Sequence, residues 1–322
     1  MKKTIFRRLL ILATSLSIAA CVSPPLQNSG ITAAPASQNI DVRSILATKG
    51  DEVATQLTNR YNSTVHDCGN PGRAAFLCSG VMMRGTETNP NFLPWDPSPS
   101  SVLNGGVSFS WLRTDDNFPG FAYGYRNGLI FYPVLATPPE KNSNIEILCS
   151  FTTDGDTFDR SMKGCGANWR ELTASTPCDF QGISTAQQWI IHYNGGTNKY
   201  THQCGWDVRE GIANQADRFY QSVLARQLIN NNDWLIHNEL RLATWRSGTG
   251  ATLPIQAFFY INGNSDGLRG ARNDQTRYYQ LYSEIVPIIR VTLPSTRDEK
   301  AAFIYDQRDQ SSGTMGTDQD SR

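Results

Sequence analysis

The stretch Leu77–Trp111, LCSGVMMRGTETNPNFLPWDPSPSSVLNGGVSFSW, sets the reading of the whole chain. An apolar run, Phe76 to Met83, ends on Arg84-Gly85-Thr86, and a second short run, Gly106 to Trp111, closes the stretch. Between them lies a Pro-, Asn- and Ser-rich loop with room for one helical turn after Asp96-Pro97. Short apolar runs bounded by turn residues predict buried strands. One of these strands delivers an arginine. The other delivers Ser108 and Ser110, which share a face because side chains alternate along a strand. The pair of strands therefore predicts a cleft suited to an anion and a flat ring.

Outward from that stretch, the ends of the chain read as non-core. The first residues, MKKTIFRRLLILATSLSIAAC, carry a basic start and an apolar segment, Leu9 to Ala20, too short to remain as a membrane span. This predicts export. Small residues before Cys21 resemble a bacterial lipobox, which would make Cys21 the lipidated N-terminus of an outer-membrane or cell-surface protein. The alternative is ordinary cleavage near Ala20 and release to the medium. Residues 22–44 have the composition of a flexible tether, and 306–322 that of a disordered tail. The interval 45–305, roughly 260 residues, suffices for a single large domain.

Composition narrows the class. Lys plus Arg equals Asp plus Glu at 29 each, so no basic field points to nucleic acid. Of the 7 cysteines, setting Cys21 aside leaves Cys68, Cys78, Cys149, Cys165, Cys178 and Cys204. An even number in an exported chain predicts up to three disulfides among fifteen connectivities. No CxxC is present, and His192, His202 and Cys204 in a Gly/Asn-rich region make only a weak metal set, so no metal site is expected.

The folded interval mixes periodicities. Val53, Ala54, Leu57 and Tyr61 have helical spacing, Ser184 caps a helix STAQQWIIHYN, and Ile212–Ile229 and Leu268–Leu281 read as helices. Leu129–Leu135, Ile145–Phe151, Leu235–Trp245, Leu253–Ile261, Ile285–Leu293 and Ala301–Tyr305 read as strands, with Pro133 marking an edge or bulge. Without regular strand–helix alternation, the expected class is α+β, a disulfide-stapled β core split by a cleft.

Arg84 at a strand end, then Ser108-Phe109-Ser110, then His237-Asn238-Glu239 entering LRLATW, resembles the Arg–Ser-x-Ser–Glu pattern of cholera-toxin-like mono-ADP-ribosyltransferases and NAD glycohydrolases. With GVMMRGT, GGVSFSWLR, NELRLATW and LPIQAFFY, much of 50–305 is similar to the halovibrin group of secreted bacterial NAD-consuming proteins. The resemblance implies an ADP-ribosyltransferase-like fold and NAD as substrate rather than cofactor. It makes Glu239, with His237, the catalytic pair. The NAD-binding set would be Arg84, Gly85, Thr86, Ser108, Phe109, Ser110 and Trp111, with Tyr123 or Tyr125 available for stacking, and a host protein is a possible acceptor.

The chemistry is consistent with that set. Nicotinamide leaves NAD without protonation, so one carboxylate that stabilises an oxocarbenium-like ribose suffices, where ordinary glycoside hydrolysis needs two. An arginine suits a pyrophosphate. Two departures stand out: His237 replaces the Gln or Glu usual two residues before the glutamate, and the Ser110–Glu239 interval is long. Glu284 is therefore a second candidate carboxylate, and Asp154 and Asp156 a third. Taken singly, Arg84 reads as a strand-end surface residue, Ser108 and Ser110 as a solvent face, and Glu239 with Arg241 as an exposed pair worth little. A non-catalytic lipoprotein that binds a protein or glycan partner through aromatic loops, with Trp95 in FLPWDPSP at their centre, is the competing function.

Overall fold

A computed structural model describes residues 42–86, 93–97, 106–141, 145–155, 165, 177–196, 203–243 and 253–311, with side chains from Leu46 onward. The expected export segment with Cys21, Asp156, His202 and the end of the tail lie outside the described residues.

Nine strands form one sheet in the order β5-β4-β6-β2-β1-β3-β7-β8-β9. They are β1 (Val81–Thr86), β2 (Gly106–Leu112), β3 (Asn127–Phe131), β4 (Ile147–Phe151), β5 (Trp206–Asp207), β6 (Glu239–Ala243), β7 (Ile255–Ile261), β8 (Ile288–Thr292) and β9 (Ala302–Tyr305). Neighbours run antiparallel except β7 and β8, which are parallel. A parallel pair needs a crossover, and helix α5 (Ser265–Tyr282) supplies it. The class is α+β with one open mixed sheet. β2, the strand bearing Ser108, bonds β6 through Gly106–Phe109 and β1 through Ser110–Leu112, and beyond Met83 the ladder of β1 is with β3 alone.

Each face of the sheet is covered. Helix α1 (Val42–Asn62) lays Val53, Leu57 and Tyr61 against Val81, Met83, Leu112, Ile130 and Phe259. The opposite face packs Met82, Phe109, Trp111, Leu129, Phe258 and Leu240 against α2 (Ala186–Gly195), α3 (Gln215–Leu228) and α5. Alternation along each strand feeds both cores, which is why the strands read as continuous apolar runs instead of a clean every-other pattern.

Two glycines bring α5 unusually close to the sheet. A Cβ on Gly267 would sit 2.5 Å from the Arg126 carbonyl oxygen, and one on Gly270 would sit 2.8 Å from the Asn127 amide.

Several boundaries differ from the sequence expectation, each for a physical reason. The strand expected over Leu129–Leu135 stops at Phe131 because Pro133 has no N–H to donate, and Val134–Ala136 turns as a 3-10 helix. The break expected at Asn230–Asp233 is a short helix, α4 (Asn231–Trp234), capped by the Asn230 side chain. The expected tail begins inside the fold: Asp309 accepts from Tyr260 and Arg290, and Gln310 is fully buried. A polar composition here reflects a buried hydrogen-bond network, which sequence patterning reads as solvent-exposed chain.

The six cysteines pair as Cys68–Cys78, Cys149–Cys165 and Cys178–Cys204. Three such bridges suit an extracellular or periplasmic setting. No described helix is long and apolar enough to cross a membrane. Cys204, one of the weak metal set, is committed to its disulfide.

Candidate functional site

The residues Ser108, Ser110, His237 and Glu239 meet on the α1 side of the sheet, beyond the part that α1 covers. Strand pairing brings them together. Ser108 is opposite Arg241 and Phe109 opposite Leu240, so Ser108 and Ser110 share a face with Glu239 and Arg241. The Ser108 hydroxyl donates to Glu239 Oε1 at 2.5 Å. The backbone N–H of Gly155 donates to Glu239 Oε2 at 2.9 Å. Arg241 Nη2 lies 3.3 Å from Oε1, with its guanidinium 4.6 Å over the Phe151 ring. Glu239 is 1% exposed and Arg241 0%. The sequence alternative of an exposed, weak pair is thereby corrected: both charges are buried, and they face each other. A buried carboxylate survives only with such partners.

His237 occupies the position next to this carboxylate. Its Nδ1 lies 2.7 Å from the Asn238 carbonyl oxygen and 3.0 Å from Ser110 Oγ. A carbonyl oxygen only accepts, so Nδ1 carries the proton. Nε2 then faces Asp154 Oδ2 at 3.6 Å. Asn238 joins the two strands where their ladder ends: its side chain accepts from Trp111 N–H at 2.8 Å and donates to the Trp111 carbonyl at 2.7 Å. Behind it, burial pushes the Asp116 carboxyl up to about 7, against the opposing effects of Arg226 and the Asn238 side chain.

Other expected site residues lie elsewhere. Met83 is opposite Ser110, so alternation turns Arg84 and Thr86 to the other face of the sheet. There Arg84 is opposite Leu129, a member of the α5-side core, and feels the Asp96 carboxylate. Phe109 and Trp111 are also on that face, 1% and 0% exposed; the Trp111 indole N–H donates to the Ser79 carbonyl at 2.9 Å. Both rings are core. Gly85 keeps to the Ser-x-Ser face, where it allows Phe121 and Tyr125 to approach.

Glu284 is removed from the group, paired with Lys141 and near the Tyr278 hydroxyl at 3.5 Å. Trp95 is fully buried, its indole N–H on Tyr282 at 3.3 Å and its ring edge-on to Tyr278. A partner-binding surface centred on that ring has nothing to present.

Three contributors were not assigned a role from sequence. Gly155 enters through its backbone N–H, Arg241 through burial, and Asn238 through its bridge to Trp111. The only sequence signal for any of them is the His-Asn-Glu-x-Arg run itself. No protein-family model matches the chain, and no curated protein matches it by sequence.

Proposed function

We propose that this is an exported NAD-consuming enzyme of the halovibrin-like, Arg–Ser-x-Ser–Glu kind, and that Glu239 is the carboxylate that stabilises the ribose cation. The supporting observation is the doubly held Glu239: a hydroxyl from the Ser-x-Ser strand and a backbone N–H fix its two oxygens. A carboxylate fixed before reaction costs no reorganisation when positive charge develops at the ribose. Nicotinamide departs as a neutral base, so no second carboxyl is required to protonate it. Glu239 would accept the ribose 2′-hydroxyl in place of one present donor. Gly155 is the donor able to yield, since it is backbone on a short irregular segment, so the Asp154–Gly155 segment shifts as substrate enters.

His237 and Ser110 position the start of β6 in this reading. Arg84, on the opposite face, is taken out of direct contact with the ribose. Water is the default acceptor and a host protein the alternative one. Lipidation at Cys21 would hold the enzyme at the bacterial surface.

The test is release of free nicotinamide from NAD by the purified, oxidised protein, followed by chromatography beside Glu239→Gln and Ser108→Ala. Release by wild type, with a drop of about 100-fold or more in Glu239→Gln, supports the assignment. A folded wild type that neither releases nicotinamide nor labels any protein in a host lysate with radiolabelled NAD rejects it.

A further inference from the structure

Glu239 is held on one oxygen by a peptide, and that peptide is itself held. The Gly155 N–H donates to Glu239 Oε2 at 2.9 Å. A trans peptide is planar, so this N–H and the Asp154 carbonyl belong to one rigid unit and point opposite ways. Gln203 Nε2 donates to that carbonyl at 2.8 Å. The Gln203 amide therefore orients the donor that fixes Glu239. The two bonds run in series through one peptide, and each polarises the other.

Gln203 reaches beyond Asp154. The same Nε2 lies 2.9 Å from Thr153 Oγ1 and 3.3 Å from the Thr153 carbonyl oxygen. A primary amide carries two N–H groups, so three acceptors leave one in reserve. Gln203 Oε1 is buried with no hydrogen-bond partner among the described residues. The amide can thus turn between acceptors without breaking a bond on its other side. Both ends of the arrangement are pinned. Next to Gln203, Cys204 is bonded to Cys178, and the Trp189 indole N–H donates to the Cys204 carbonyl at 3.0 Å. Before Thr153, Arg226 Nη1 donates to the Thr152 carbonyl at 3.3 Å. The Asp154–Gly155 peptide lies just beyond that anchor, and Gln203 is what ties it back.

We propose that Gln203 is the positioning residue for Glu239, a latch whose amide holds the Asp154–Gly155 peptide on the carboxylate and passes to Thr153 when a ligand hydroxyl takes that place. On release, the Asp154 carbonyl leaves Gln203 while both N–H groups stay bonded, one to Thr153 Oγ1 and one to the Thr153 carbonyl. That the incoming hydroxyl belongs to the ribose of NAD rests on the function proposed above; the latch itself is read from the free protein.

Two replacements move the latch in opposite directions. Gln203→Met keeps the length of the side chain and loses the donor, so the Gly155 peptide is held by Glu239 alone. Thr153→Val removes one acceptor, so opening would strand an N–H of the amide and the closed arrangement is favoured. Amide hydrogen exchange in protein carrying isotope-labelled glycine reads both without any ligand. Gly128, in β3 between β1 and β7, is the reference for opening of the whole fold. Relative to Gly128, exchange at Gly155 should be about tenfold faster in Gln203→Met and about threefold slower in Thr153→Val.

Turnover adds a readout that a merely structural role would not move. The latch competes with substrate for Glu239 Oε2, so KM for nicotinamide release should fall about threefold in Gln203→Met and rise about threefold in Thr153→Val, with kcat little changed. The proposal is overturned if either exchange effect is absent or reversed, or if Gln203→Met speeds Gly155 and Gly128 equally. It is also overturned if an active wild type keeps the same KM in both variants. A wild type that releases no nicotinamide removes NAD as the ligand, and the exchange rates then decide the latch by themselves.

Discussion

Replacing Glu239 by Gln should destabilise the protein before it says anything about catalysis, and the structure sets how much. Among the described residues the carboxylate accepts hydrogen bonds from Ser108, Gly155 N and Arg241. Glutamine offers one acceptor oxygen and a donor amide. With the oxygen toward Ser108 and Arg241, the amide faces the Gly155 N–H, donor against donor. In the flipped orientation, the amide faces the guanidinium of Arg241, which is 0% exposed. Either way a buried donor is set against a donor, and Arg241 loses its ion pair with Glu239.

Removing one partner of a buried pair costs about 3–5 kcal/mol, and the retained amide oxygen places this case near 3. For a domain of this size, about 2–4 °C per kcal/mol converts that to a fall of roughly 6–12 °C in melting temperature. Calorimetry at pH 7 reads the shift directly. Activity is then compared well below the onset of unfolding, so that lost turnover is not confused with lost fold. The double replacement Glu239→Leu with Arg241→Met should recover much of the stability, since an apolar pair avoids the desolvation of two charges. A Glu239→Gln protein melting within about 2 °C of wild type would show that the pair is neither buried nor bonded as described, and the reasoning would fail.

Three further outcomes follow from the same geometry. In Gly155→Ala the new Cβ would sit 3.0 Å from Glu239 Oε2 and 3.3 Å from the Phe151 ring. A loss of about 1–2 kcal/mol in chemical denaturation is expected, with a further drop in any NAD cleavage; an unchanged midpoint would contradict the contact. Burial pushes the Asp274 carboxyl up to about 7, opposed by the hydrogen bond from Asn127. The folded protein therefore holds this proton more tightly than the unfolded chain, and the contribution to stability falls as pH rises from about 4 towards 7. Asp274→Asn should raise the melting temperature more at pH 8 than at pH 5, and an equal shift at both would disprove the assignment. Trp95→Ala should cost about 3–5 kcal/mol of stability, because the ring is core; a loss under about 1 kcal/mol, read by urea denaturation, would return Trp95 to the surface.

Much of the fold was legible because it rests on short-range physics. The spacing of Val53, Leu57 and Tyr61 gave the packed face of α1, and β-branched and aromatic runs gave β3, β7 and β8. Three features were not legible. Trp206–Asp207 is too short a strand to leave a pattern. Asp309 and Gln310 look like solvated tail, yet their polar groups are spent on Tyr260, Arg290, Gln275 and the β8 backbone. Arg241 looked like a surface charge because an alternating strand shows which residues share a face, and says nothing of whether that face is covered.

The candidate site divides along the same line. From the chain alone it follows that Ser108 and Ser110 point the same way and that Glu239 and Arg241 do too, since period-two alternation is a property of any strand. That these two pairs share a face, 131 residues apart at Ser108 and Glu239, follows only from β2 lying beside β6. The register of β1 against β2 likewise turned Arg84 away from the serines. A slip of one residue would have turned it towards them, and the loop between the strands carries no local signal that fixes that register. Local sequence determined the strands, the export-compatible cysteines and the candidate carboxylate. Which side chains meet was decided by long-range strand pairing, where burial of both faces selects one register from several that the sequence allows.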